Sequence, residues 1–235
     1  CGAAFAPGVL AAAGALELLH CASLVHDDLP CFDDAGTRRG RPAVHRAFGE
    51  RLAVLTGDAL IVLAFQSVAN DASCPPERRV TLLATIASAA GMPCGIVSGQ
   101  AWECESRIAL SDYQRAKTGA LFVAAAVAGA HAAGADPAPW RRVGEALGEA
   151  YQLADDIRDV LGSAEELGKP AGRDAALGRP NAVHRLGLPA ARARMQSLLA
   201  MAESEVPECP GAAELQACCR DALQHRPAAL TRPAA

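Results

Sequence analysis

Aromatic side chains are scarce, at 4% of the 235 residues, and only two of the 22 basic residues are lysines. Long runs in which Val, Ile or Tyr alternate with polar residues are missing, which argues against a sheet. No basic face or stripe stands out and the net charge is -4, so a nucleic-acid partner is not expected. The nine cysteines form no CxxC pair and no zinc spacing. They read as scattered reduced thiols of a cytoplasmic protein rather than a disulfide framework. No basic segment leads into a short apolar stretch with a cleavage site, so no signal peptide is expected. What is abundant is apolar mass, 51% of the chain, much of it Ala and Leu. Both are strong helix formers, and an all-α fold follows.

The stretch Val80–Trp102 carries no charge, but Gly91, Pro93, Gly95, Ser98, Gly99 and Gln100 interrupt and polarise it. It reads as a buried helix, a turn near Met92-Pro93 and a second helix, not as a membrane span. Pro7 opens a helix expected to reach about Leu29, where Pro30 ends or kinks it for want of an N–H donor. Cys31–Pro42 reads as a loop. Helical patterns resume over Val44–Asn70 and after Pro76, with breaks at Asp136-Pro137-Ala138-Pro139 and Gly168–Pro180. One or two amphipathic helices follow from about Pro189, with a frayed tail from Arg226. No repeat or low-complexity linker divides the chain, so a single domain over residues 1–235 is the simplest organisation.

Of thirteen aspartates, seven fall in two short clusters: Asp27, Asp28, Asp33 and Asp34, then Asp155, Asp156 and Asp159. Like charges this close repel unless a cation lies between them. Asp155 and Asp159, four apart, share a helix face. Solvated charges at helix ends are the plain alternative for one cluster, but two clusters, each followed by basic residues, fit a metal better. Grouped carboxylates suit Mg²⁺, which takes one or two carboxylates, several waters and the phosphate oxygens of a substrate. Two facing clusters can clamp a diphosphate. The calcium-loop spacing is absent. Arg38 and Arg39 follow the first cluster, and arginine forks match phosphate oxygens. Both lysines stand beside other motifs: Lys117 in Lys117-Thr118-Gly119, and Lys169 in the glycine-rich Gly168–Gly172.

These motifs resemble, in order, those of the trans-isoprenyl diphosphate synthases, which include the farnesyl and geranylgeranyl diphosphate synthases. The segments are His26–Asp34, Arg38-Arg39-Gly40, Gly57–Leu60, Gly99-Gln100, Lys117–Phe122 and Gln152–Asp159. The resemblance implies a helical bundle around a central cavity, a homodimer, and Mg²⁺-dependent condensation of an allylic diphosphate with isopentenyl diphosphate. It implies that Asp27, Asp28 and Asp33 hold two Mg²⁺ and Asp155 with Asp159 a third, Asp155, Asp156 and Asp159 forming the second metal motif. Arg38, Lys117 and Lys169 would then hold the allylic diphosphate. Thr118 and Gln152 would lie beside the developing allylic cation, and His20 and Arg39 would face isopentenyl diphosphate. For His20 a core histidine bonded to a backbone carbonyl is the alternative.

Two departures stand out. The family's Gly-Gly-Lys-Arg-x-Arg-Pro stretch upstream of the first motif is not in these residues. The aspartate that commonly follows Gly-Gln by three residues is Glu103 here. A class I terpene cyclase shares the first motif but usually lacks the second DDxxD. A non-catalytic partner subunit would be expected to lose aspartates, and both clusters are intact. The family also places Ala22 and Ser23, five and four residues before Asp27, along the growing chain. Both are small, and the first motif has two extra residues, Pro30 and Cys31. A twenty-carbon geranylgeranyl product is expected ahead of the fifteen-carbon farnesyl one.

Overall fold

The computed structural model describes residues 6–105, 109–161 and 181–223. Its main elements are helices: α1 (Val9–Asp27), α2 (Val44–Phe48), α3 (Glu50–Ala69), α4 (Pro76–Ala90), α5 (Ile96–Trp102), α6 (Leu110–Gln114), α7 (Ala120–Ala133), α8 (Pro137–Leu161), α9 (Ala182–Leu186), α10 (Leu188–Ser204) and α11 (Ala212–Asp221). A single turn of π-helix, Arg115–Gly119, joins α6 to α7. The all-α expectation holds, with one small exception in the segment expected to be loop. There β1 (Thr37–Arg38) and β2 (Arg41–Pro42) form an antiparallel hairpin in which Arg38 faces Arg41.

The breaks fall where backbone chemistry puts them. The expected helix over Val44–Asn70 divides at Gly49 into α2 and α3. The proline run at 137–139 starts α8 instead of merely interrupting the chain: Pro137 is its first residue, a position needing no N–H donor. Asp136 caps it, its carboxylate accepting from the Ala138 amide at 3.0 Å. The Val80–Trp102 stretch does turn near Met92-Pro93, between α4 and α5. It is amphipathic rather than buried, with Val80, Met92 and Val97 all more than half exposed. The Gly168–Pro180 loop and the tail from Arg226 lie outside the described residues.

With few aromatics to fill space, the core is built largely from alanine. One buried cluster joins Ala12, Ala15, Leu19, Ala64, Leu82, Ile86, Ala124 and Ala128, from α1, α3, α4 and α7. A second joins Trp140, Ala150, Leu153, Ile157, Ala191, Met195 and Leu198, chiefly from α8 and α10. Small side chains let the helix axes approach closely, so packing is decided by backbone proximity rather than by large knobs. Helix α7 contributes to both clusters, through Ala124 and Ala128 to the first and Ala130 to the second. It thereby ties α1, which carries the first aspartates, to α8, which carries the second.

Three helical runs, Val9–Asp27, Glu50–Ala69 and Asp112–Ala133, are long and apolar enough to cross a membrane by length and composition. The first ends on the buried Asp27, and the third contains Asp112, Arg115 and Lys117.

Candidate active site

Helix α1 ends where its charge is least welcome. Asp27 is its last residue and Asp28 its C-cap, and a helix C-terminus carries partial negative charge that disfavours carboxylates. Both are buried, 7% and 2% exposed. The chain then folds back on itself. The Asp33 amide donates to the Asp27 carbonyl at 2.9 Å, that of Asp34 to Leu29 at 3.0 Å and that of Ala35 to Asp28 at 3.1 Å. This brings Asp33 beside Asp27, as the sequence suggested.

Asp27 and Asp28 each have a compensating partner. Arg38, at the end of β1, forks onto Asp28: Nε donates to Oδ1 at 3.0 Å and to Oδ2 at 3.2 Å, and Nη2 donates to Oδ1 as well. Asp27 accepts from Gln100 Nε2 and has the Lys117 ammonium 3.5 Å from Oδ1. Burial pushes the Asp27 carboxyl pKa up. Lys117 and Gln100 pull it down without cancelling that effect, and Asp33 and Glu103 add to the rise.

Two glycines make this convergence possible. At Gly99 on α5 a Cβ would lie 2.5 Å from the backbone N and Cα of Lys117, so α5 and the π turn touch backbone to backbone. At Gly57 on α3 a Cβ would strike the His26 ring, which lies across the helix with Nε2 donating to the Val54 carbonyl at 3.2 Å. The π turn carries Lys117 and Thr118, and such turns recur at functional sites.

On α8 the second cluster divides into different roles. Asp155 pairs with Arg158 one turn on. Asp159 is 6% exposed, and its Oδ1 has no hydrogen-bond partner among the described residues. Asp156 departs from the expected grouping with the metal-facing acids, because its carboxylate is occupied by protein donors: Gln152 Nε2 at 2.8 Å, the Ala182 amide at 2.7 Å and Gln114 Nε2 at 3.4 Å. Thr118 Oγ1 donates to Gln152 Oε1 at 2.7 Å, so Thr118, Gln152 and Asp156 form one chain of hydrogen bonds from the π turn into α8.

The hairpin turn at Arg39-Gly40 has positive φ at both positions, 52° and 75°, as a two-residue hairpin with native twist requires. His20, two turns before Asp27, is partly buried. Burial lowers its pKa first, and the nearby Arg39 and Arg38 lower it further against Glu17 and Asp27. His20 and Arg39 are thus neighbours. Lys169 lies outside the described residues. The open space expected beside Ala22 is not there, since Ala22 is 2% exposed. Its neighbour Ser23 is partly exposed, its hydroxyl turned back to the His20 carbonyl at 2.8 Å. A cavity of about 1110 Å³ lies between α4, α7 and α8, among Thr85, Val123, Val127 and Arg141. It meets neither aspartate cluster, so it is not the central cavity expected between them.

Sequence reasoning gave no role to Gln100, Glu103, Tyr113, Gln114, Arg158 or Asn181, all of which position the acids or their partners. Gln100 and Glu103 had a signal in the Gly-Gln-x-x-Glu spacing. Asn181 and Gln114 had none, because they reach Asp156 only through tertiary packing.

A helical frame that gathers two acidic segments and their basic partners across α1, α5, the π turn and α8 defines the isoprenoid-synthase class. The profile of the polyprenyl synthetase family matches residues 6–216. The chain is 57% identical over 205 residues to a geranylgeranyl diphosphate synthase of Cereibacter sphaeroides, covering 87% of this chain and 71% of that one. It is 42% identical over 176 residues to a farnesyl diphosphate synthase of Geobacillus stearothermophilus, covering 70% and 59%. In structure it is similar to a geranyltransferase of Helicobacter pylori solved with magnesium and isoprenyl diphosphate. The TM-score is 0.80 at 30% identity, over 91% of this chain and 74% of that one. The chain belongs to the polyprenyl synthetase family and is a prenyltransferase.

Two outcomes follow from the geometry. Gly99→Ala should cost about 1–3 kcal/mol of stability, because backbone rather than a flexible side chain must give way; a urea midpoint equal to that of the parent would refute the close approach. For Asp27, a raised folded pKa means the proton is bound more tightly in the folded than in the unfolded chain. Its stabilising share is present at low pH and lost as pH rises through the raised value. In metal-free protein, Asp27→Asn should therefore raise the unfolding midpoint at pH 7, and the gain should shrink toward acid pH. A gain that does not vary with pH would contradict the burial argument.

Proposed function

We propose that this protein condenses an allylic diphosphate with isopentenyl diphosphate in the presence of Mg²⁺ and releases geranylgeranyl diphosphate. The observation that carries the reading is that one π turn reaches both acidic segments: Lys117 stands 3.5 Å from Asp27, and Thr118 bonds Gln152, which bonds Asp156 between Asp155 and Asp159 on α8.

Among the described residues no three His, Cys, Asp or Glu side chains stand close enough to enclose a metal ion. Asp27, Asp28, Asp155 and Asp156 are each held by a protein donor instead. The residues nonetheless fit Mg²⁺. The donor set is oxygen alone, Asp159 Oδ1 is buried without a partner among the described residues, and Asp27 stays harder to ionise than its two partners alone would make it. Asp27, Asp28 and Asp33 on one side and Asp155 and Asp159 on the other are the residues to hold it. Asp156 is better read as a brace that orients Gln152 and anchors Ala182. Bound Mg²⁺ would draw negative charge onto the diphosphate as it leaves.

The protein's own part is to bind and shield. Arg38, released from Asp28, and Lys117, released from Asp27, place cations against the diphosphate oxygens. The allylic C–O bond breaks and its electron pair leaves with the diphosphate. The isopentenyl double bond then supplies the electrons of the new C–C bond, and the proton given up to restore a double bond passes to the departed diphosphate. Thr118 and Gln152, fixed by their mutual hydrogen bond, present preorganised dipoles to the intervening cation. Among the relatives, the geranylgeranyl synthase is more similar than the farnesyl synthase, which supports the longer product. Ser23, rather than the buried Ala22, is the small residue available to a growing chain.

We further read the protein as one catalytic domain acting as a cytoplasmic homodimer. Leu52, Leu55, Val62 and Leu63 lie about half or more exposed along one side of α3. A second copy would cover this stripe, for which water is poor company. The charges on α1 and in the π turn make these helices walls of a site rather than membrane spans.

Incubation with Mg²⁺ and both substrates should yield a twenty-carbon diphosphate by chromatography, and none when either substrate or the metal is withheld. Asp27→Ala should lower turnover about a thousandfold, comparable to the loss of a main electrostatic stabiliser. Release of diphosphate from the allylic substrate alone, with a cyclic product, would replace this reading with that of a terpene cyclase. In sedimentation the parent should run as a dimer and Leu55→Glu as a monomer; a monomeric parent would remove the α3 interface.

A further inference from the structure

The Lys117 ammonium stands between two carboxylates. It is 3.5 Å from Asp27 Oδ1 and pairs with Glu103 Oε1. The Tyr113 hydroxyl donates to the same Oε1, and the Tyr113 ring lies 5.9 Å below the ammonium. The four groups come from four places: Asp27 from the end of α1, Glu103 from the C-cap of α5, Tyr113 from α6 and Lys117 from the π turn. The side chains of Lys117 and Glu103 are 20% and 10% exposed, so water offers either of them little alternative solvation.

One ammonium therefore serves two acids. If Asp27 takes a metal ion, the ammonium cannot remain beside it, since like charges a few ångströms apart in a sheltered site repel strongly. Leaving Asp27 would strand a buried cation unless another carboxylate holds it. Glu103 is that carboxylate, and Tyr113 fixes which oxygen it presents. The side chain can pivot about Glu103 Oε1 from Asp27 toward an incoming diphosphate without ever losing its partner. The α5–π turn contact at Gly99 keeps the pivot in place.

We propose that Glu103 is a positioning residue, steadied by Tyr113, which holds Lys117 while Asp27 is handed from ammonium to metal. This rests on the reading that Asp27 is a metal ligand. Without the pivot, Lys117 falls wholly onto Asp27 and competes with the metal. Glu103 thus acts on metal uptake chiefly through Lys117, which a merely structural residue would not do.

The test is a calorimetric titration of Mn²⁺ into substrate-free protein, for the parent, Glu103→Gln, Lys117→Met and the double variant. Glu103→Gln should weaken metal binding about tenfold, a size usual for coupled neighbouring charges. Lys117→Met should bind at least as tightly as the parent. The double variant should recover the affinity of Lys117→Met, because the competitor is gone. In turnover, Glu103→Gln should raise KM for the allylic diphosphate more than it lowers kcat, and Glu103→Asp should recover part of the loss. Tyr113→Phe should weaken metal binding in the same direction by less, and it serves if Glu103→Gln does not fold. Unchanged affinity in Glu103→Gln, or a double variant as weak as Glu103→Gln alone, overturns the proposal. A parent that takes up no Mn²⁺ overturns the metal reading of Asp27, and the proposal with it.

Discussion

The structure is organised around a charge problem. Two carboxylates are buried at the negative end of α1, with a third folded back beside them, and nothing in a helix end stabilises that arrangement. The remedy is the set of cations brought to it from elsewhere: Arg38 from the hairpin and Lys117 from the π turn. The second cluster uses the same device on a smaller scale, with Arg158 on Asp155. Each cation sits on a separate element with its own constraint on placement. For Arg38 it is the two-residue turn at Arg39-Gly40, and for Lys117 it is the backbone contact at Gly99.

The small-residue core explains how such placement stays accurate. Helices lined largely by alanine have little freedom to slide, because few long side chains are there to repack and fill a gap. The acids belong to different halves of this core, Asp27 to the half built on α1 and α3 and Asp155 to the half built on α8 and α10. Helix α7 contributes to both. The separation of the two clusters is therefore a property of the α1–α7 and α7–α8 contacts rather than of any residue in the site.

Much of this was legible in the chain itself. Helical class, the ends of α1 and α4, the turn after α4 and the two acidic clusters follow from composition, proline positions and charge spacing. What was not legible falls into two kinds. Asp156 looks in sequence like its neighbours Asp155 and Asp159; only the arrival of Gln114 and Ala182 from distant parts of the chain gives it a different task. Likewise Ala22 is small, and smallness read as open space, yet burial depends on what packs against it. The short hairpin was also hidden, since four residues in two strands leave no periodicity to detect. Patterns local to one helix are written in the sequence, whereas the partner of a side chain on another helix is not.

The π turn sets α7 free from the segment before it. An extra residue per turn rotates everything downstream by roughly one helical position relative to an unbroken α-helix. Tyr113 and Gln114 upstream can answer to Glu103 and Asp156, while Ala124 and Val127 downstream answer to the bundle core. In an unbroken helix those two demands would share one phase, and satisfying either would misdirect the other. Here a single irregular turn lets the chemistry of the site and the packing of the bundle vary independently along one continuous stretch of chain.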